Sequence, residues 1–101
     1  MTEARDNRGQ TVLSHAARNG HASAVKRLLA AGAKAEVEDA RGWTPLALAV
    51  QSGDAETVRL LLAAGADPRR RFSSGKTIWG IAFESRHTEI QRLLEAAGDR
   101  E

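Results

Sequence analysis

Residues 39–71 read DARGWTPLALAVQSGDAETVRLLLAAGADPRRR, and the rest of the chain copies them. Thr44-Pro45-Leu46 opens an apolar segment, Gly53 interrupts it, Val58 to Leu62 resumes it and Gly65-Ala66-Asp67 closes it. Moving back 33 positions places Thr44 on Thr11, Leu46 on Leu13, Gly53 on Gly20, Val58 on Val25 and Leu61-Leu62 on Leu28-Leu29. Moving forward by the same 33 places Gly42 on Gly75, Thr44 on Thr77, Ala49 on Ala82, Leu60-Leu61 on Leu93-Leu94 and Gly65 on Gly98. Neither shift needs an insertion or a deletion. A fixed period of this length is the signature of a repeat architecture.

Each copy has the same local grammar. A turn rich in Asp, Asn, Ser and Gly comes first: Asp6-Asn7-Arg8-Gly9, the residues around Gly42, and Ser73-Ser74-Gly75. A threonine follows, able to cap a helix with its hydroxyl: Thr11, Thr44 and Thr77. The spacing predicts short helices over about 12–18, 45–52 and 78–85. Pro45 sits at the first helical position, where a missing N–H costs nothing. After Gly20, Gly53 and Arg86 the apolar residues return at helical spacing, predicting second helices over about 22–31, 55–64 and 88–97, with Gly32, Gly65 and Gly98 as stops. Asp54 is placed to cap the second helix of the middle copy, with Thr57 three residues on. No helix of this length buries its apolar face alone, so the units must stack.

Composition agrees. The 101 residues suffice for one modest core. Apolar residues at 42% and charged residues at 28% are globular proportions. Aromatics reach only 4%, which suits close-packed short helices better than a sheet. Fifteen Lys and Arg against thirteen Asp and Glu leave a net charge of only +2, so the chain lacks the broad basic field of a nucleic-acid binder. The absence of cysteine excludes disulfide and thiolate chemistry and fits a reducing compartment. No apolar run is long enough to span a membrane, and MTEARDNRG has no signal core.

Gly42-Trp43-Thr44-Pro45-Leu46-Ala47-Leu48-Ala49 and Val58-Arg59-Leu60-Leu61-Leu62-Ala63-Ala64-Gly65-Ala66-Asp67 carry a resemblance to the ankyrin repeat, whose units are 33 residues long and open on T-P-L-H-x-A. The resemblance covers about residues 6–98. It implies an all-α helix-turn-helix solenoid with β-turn or hairpin loops: a polar lead-in at 1–5, a first repeat at 6–38, an interior repeat at 39–71, and a C-terminal repeat with a short tail at 72–101. Segment 75–98, GKTIWGIAFESRHTEIQRLLEAAG, is similar to a C-terminal ankyrin cap. The departures are informative. The family's histidine after T-P-L is Ser14, Ala47 and Gly80 here, which predicts looser bonding between loops. Leu48 becomes His15 in the first copy, and Val58 and Leu62 become Gln91 and Glu95 in the third. Polar replacements at the outer faces are what terminal units require.

Chemistry is sparse. His21 and His87 fall in the same repeat column, where a structural role is expected, and His15 reads as a surface residue. No pair has the spacing of a helical zinc site. Ser73-Ser74-Gly75-Lys76-Thr77 fails as a phosphate-binding loop because the required earlier glycine falls at Arg70. No nucleophile motif or dinucleotide fingerprint is present, so no enzyme and no cofactor is expected. Arg69-Arg70-Arg71 reads as a solvated loop or, failing that, as a contact for an acidic partner. Trp79 replaces the leucine of Thr-Pro-Leu and is expected in the core. Trp43 lies between the turn glycine and the capping threonine, a position that the resemblance directs toward a concave groove.

The expected function is non-enzymatic binding of another protein through hairpin tips and the concave face of the first helices. Carried over by column, the candidate contacts are Asn7, Arg8, Gln10, Arg18 and Asn19 in the first copy. Ala40, Arg41, Trp43, Gln51 and Ser52 follow in the second, and Ser73, Ser74, Lys76, Glu84 and Ser85 in the third. The chain is expected to be a cytoplasmic monomer with no membrane contact, and nucleic acid is disfavoured as a partner. Two alternatives remain: an engineered or isolated scaffold without a native ligand that self-associates, and basic-loop binding to an acidic partner or nucleic acid.

Overall fold

The computed structural model describes residues 11–39, 42–68 and 77–98. The expected turns at 6–9 and 73–75, the polar lead-in and Asp99 to Glu101 lie outside them. The described residues form six helices: α1 Val12–Arg18, α2 Ala22–Ala30, α3 Pro45–Ser52, α4 Ala55–Ala63, α5 Ile78–Glu84 and α6 Thr88–Gly98. All six helix ends match the sequence reading to within a residue. In α6 the last residue is Gly98 itself, the expected stop, rather than Ala97 before it.

The three short helices start alike. The hydroxyls of Thr11, Thr44 and Thr77 accept hydrogen bonds from the backbone N–H groups of Ser14, Ala47 and Gly80, at 3.2, 3.3 and 3.0 Å. These donors belong to the column where the family histidine is missing. At the start of α4 the Asp54 carboxylate accepts from the Thr57 N–H at 3.3 Å and from the Thr57 hydroxyl. Each cap satisfies a backbone donor that a helix N-terminus otherwise leaves unpaired.

The helices stack in two rows. α1, α3 and α5 form one row and α2, α4 and α6 the other, and each short helix also packs on the longer helix that follows it. One core runs through the stack, built on Leu13, Val25, Leu46, Val50, Val58, Leu61, Ile78 and Ile90.

Burial by column assigns a direction to each side chain. Leu13 and Leu46, Ala17 and Val50, and Val25 and Val58 are buried in the first two units. Their third-unit equivalents Trp79, Phe83 and Gln91 are half-buried or exposed, so these columns face the following unit. Pro45 and Ile78, Thr57 and Ile90, and Leu61 and Leu94 are buried in the last two units. Their first-unit equivalents Val12, Ala24 and Leu28 are not, so these columns face the preceding unit. Leu48 is buried where His15 is half-buried, as expected.

The third unit departs from the sequence reading. Gln91 turns inward and donates from Nε2 to the Ala82 carbonyl at 3.3 Å, and Glu95 is exposed, so α6 has a polar outer face. The α5 half of that face is apolar. Trp79, expected in the core, is only half-buried, because its column looks outward from the stack. Its ring stacks on Phe83, which is 60% exposed, at 5.2 Å between centroids.

Candidate functional site

The candidate surface is built on α3, the central short helix, which the two flanking units hold in place. At its N-terminal end the buried Asp39 organises a tight turn. Its Oδ1 accepts from the Trp43 N–H at 2.9 Å, its own N–H donates to the Trp43 carbonyl at 2.9 Å, and its carbonyl accepts from the Gly42 N–H at 2.9 Å. Three bonds on one residue fix where Trp43 leaves the backbone. The indole is half-buried and packs against the core, so it presents part of its surface instead of standing free.

At the other end of α3, roughly 12 Å away for eight helical residues, Ser52 and Asn19 come together. They line a shallow groove with Arg18, Gly20, Gly53 and Asp54, across the joint between the first two units. Both side chains are partly engaged with their own helix ends. Asn19 Nδ2 donates to the His15 carbonyl and Ser52 Oγ to the Ala49 carbonyl, each at 2.9 Å. That leaves the Asn19 side-chain amide oxygen and its second N–H, with the Ser52 lone pairs, to offer a partner. Gln51 beside them is exposed, as are Glu84 and Ser85 at the same end of α5. Asn7, Arg8, Gln10, Ala40, Arg41, Ser73, Ser74 and Lys76, and the arginines 69–71, lie outside the described residues.

The groove has its shape because glycines line it. Gly53 has φ of +83°, and a Cβ there would lie 2.7 Å from Cε1 of His87. Gly20 has φ of +69°, and a Cβ there would meet the Asp54 side chain at 3.5 Å. Residues 54 and 87 are the same column, so each lies over the turn glycine of the unit before it. This gives His87 a packing role. Arg86 fills the glycine column in the third unit and adopts φ of 61°.

A family model of ankyrin repeats (three copies) matches residues 1–72. The chain belongs to the ankyrin repeat family. Residues 77–98, beyond that match, carry the same helix pair in the same stack. A comparison with curated proteins gives no match. Ankyrin repeats are in general protein–protein interaction modules and typically non-enzymatic. Among the described residues no group of three or more His, Asp or Glu side chains could hold a metal ion, and no helix is long and apolar enough to cross a membrane.

Two structural features escaped the sequence reading. Asp39 was legible in principle, as an Asp four residues ahead of the residue whose N–H it takes, and the first copy repeats it as Asp6 in Asp6-Asn7-Arg8-Gly9, whereas the third copy has Phe72 in that column. Phe83 was hidden by its neighbours, since an aromatic in an apolar helix reads as core until the open side of the stack is known.

Proposed function

We infer that this ankyrin module recognises another protein along its row of short helices, with Trp43 as the anchor and the ends of α1, α3 and α5 as the polar border. The observation that supports the reading most is the Asp39 turn. It uses a buried carboxylate to hold a partly exposed indole beside a rigid helix, and preorganised aromatics are the usual anchors of binding surfaces. The partner spans α3, ~12 Å for eight helical residues, from beside Trp43 to the Arg18–Asn19–Ser52 groove, a length of a few extended residues or two helical turns. Affinity rests on one aromatic contact with a polar surround, so it is moderate and sensitive to single substitutions.

Capture from a native lysate tests the reading. Trp43→Ala and, at the other end of α3, the exposed-site variant Gln51→Arg should both lose the same subset of captured proteins. Circular dichroism should show the helical content of each variant unchanged. Recovery of an identical set by the wild type and both folded variants would overturn the reading.

A further inference from the structure

Of the two asparagines in the chain, Asn7 precedes Arg8 and Asn19 precedes Gly20. A backbone N–H can attack the side-chain amide of the asparagine before it. The attack is least hindered where the next residue is glycine, with no Cβ in the way. The Gly20 nitrogen bonds to Asn19 Cγ, the Cγ–Nδ2 bond breaks, and the leaving nitrogen takes the Gly20 proton and departs as ammonia. Water then opens the five-membered imide at either carbonyl. The product is aspartate, or isoaspartate with the chain routed through the side chain. The sum is asparagine plus water giving aspartate plus ammonia, with no redox change and no cofactor.

The native turn holds this pair out of reaction. Asn19 has ψ of 4°, which eclipses the Gly20 nitrogen with the Asn19 nitrogen, whereas ring closure needs it eclipsed with Cβ. Both reacting groups are also engaged. Asn19 Nδ2 donates to the His15 carbonyl at 2.9 Å, and the Gly20 N–H donates to the Ala17 carbonyl at 3.2 Å. Closing the ring therefore requires the last turn of α1 to open and both bonds to break. Asn19 is exposed, so water reaches it. The turn itself does not need an amide here. In the next unit the same column holds Ser52, whose Oγ donates to the Ala49 carbonyl at the same 2.9 Å, and in the third it holds Ser85.

We propose that Asn19-Gly20 is a self-modification site gated by the first unit: inert in the closed stack, and converted to aspartate or isoaspartate when the end of α1 opens. The conversion is self-reinforcing. A carboxylate cannot donate to the His15 carbonyl, and it sets a negative charge at the carbonyl end of α1, where the helix dipole disfavours one. It also shares the groove with Asp54, whose Oδ2 would lie 3.6 Å from a Cβ on Gly20. Isoaspartate lengthens the backbone by one methylene inside a tight turn. Each molecule that has opened is thus marked covalently, and the mark makes it open more readily. The reaction needs no partner, so its readout does not depend on what the groove binds.

Peptide mass spectrometry at residue 19 tests the gate on the 101-residue chain at neutral pH, folded and unfolded in urea. Conversion should be at least roughly tenfold slower in the folded chain, the factor that an opening cost of about 1.4 kcal/mol supplies. In urea, residue 19 should convert ahead of Asn7. In the folded state Leu13→Ala, which removes a buried side chain of α1, should speed conversion more than Leu94→Ala at the far end of the stack. Leu13→Val replaces the alanine variant should it lose helical circular dichroism. Asn19→Asp, the product, should raise amide exchange at the end of α1, while Asn19→Ser, which keeps a donor, should exchange like the wild type. Equal rates in the folded and unfolded chain would overturn the gate, as would equal acceleration by the two leucine variants. A residue 19 that stays unreacted in urea would overturn the site itself. Asn19→Asp exchanging no faster than Asn19→Ser would overturn the self-reinforcement.

Discussion

At the residue scale, the third unit keeps a conformation without the residue type that suits it. Arg86 sits at φ of 61°, where a Cβ crowds the backbone, because the turn between α5 and α6 must match the turns at Gly20 and Gly53. Arg86→Gly should therefore raise stability by about 1 kcal/mol, or roughly 4–8 °C in midpoint for a domain of this size. Thermal unfolding checks it, and an unchanged or lower midpoint would show that the arginine side chain makes good the strain. Gly53 is the converse case. Its conformation disfavours a side chain, and a Cβ would fall 2.7 Å from the His87 ring. Gly53→Ala should cost about 1–3 kcal/mol, and His87→Ala in the same chain should recover roughly 0.5–1 kcal/mol of it, because neighbours in contact are not additive. A double-mutant cycle by denaturant unfolding measures that coupling, and strict additivity would remove the ring from the account.

At the scale of elements, the turn before α3 is as important as the helix. Asp39→Ala leaves the Trp43 N–H without its acceptor in a part-buried turn, a loss of about 1–3 kcal/mol. Asp39→Asn keeps an acceptor oxygen and should lie close to the wild type. The readout is Trp43 emission in a Trp79→Phe background: a red shift for the alanine variant, little for the asparagine. Equal shifts would mean that the carboxylate does not position the indole. The elements themselves were legible in the sequence because threonine caps, turn glycines and leucine pairs recur at one spacing, and local chemistry dictates each of them. Helix ends and the packing direction of Leu48 and Val58 follow from that recurrence. The Asp39 turn did not follow, because Asp recurs in that column only as Asp6 and its acceptor role depends on a backbone N–H, which no residue type marks. Trp79 packs against the core as expected but is only partly covered, for a related reason. Repeat logic assigns a residue to its column, and whether that column is covered depends on which unit it belongs to. For Arg18, Asn19 and Ser52 the sequence supplied the column, but their meeting in one groove depends on how successive units are offset.

At the scale of the whole molecule, stability is a sum over units and the joints between them. The interior unit takes part in both joints and should govern cooperativity. Arg59 pairs with Glu56 on its own helix at 3.2 Å and, across one joint, with Glu89 on α6 at 2.9 Å, but both pairs are largely solvated and add at most about 1 kcal/mol. The burden falls on apolar burial. Leu46 is fully buried in the middle of the stack, and Leu46→Ala should cost about 2–5 kcal/mol, a large share of the total for a domain of this size. Leu94 is similarly buried, but it sits on the last helix and belongs to one joint only. Leu94→Ala should therefore fray the third unit first, with amide exchange rising in α5 and α6 while α1 and α2 keep their protection. Leu46→Ala should instead raise exchange in all six helices together, because a stack of three has no stable remainder once its centre loosens. Hydrogen exchange resolved by helix separates the two patterns. Uniform loss in both variants would mean that this short stack behaves as one cooperative unit, with the joints too strong to part singly.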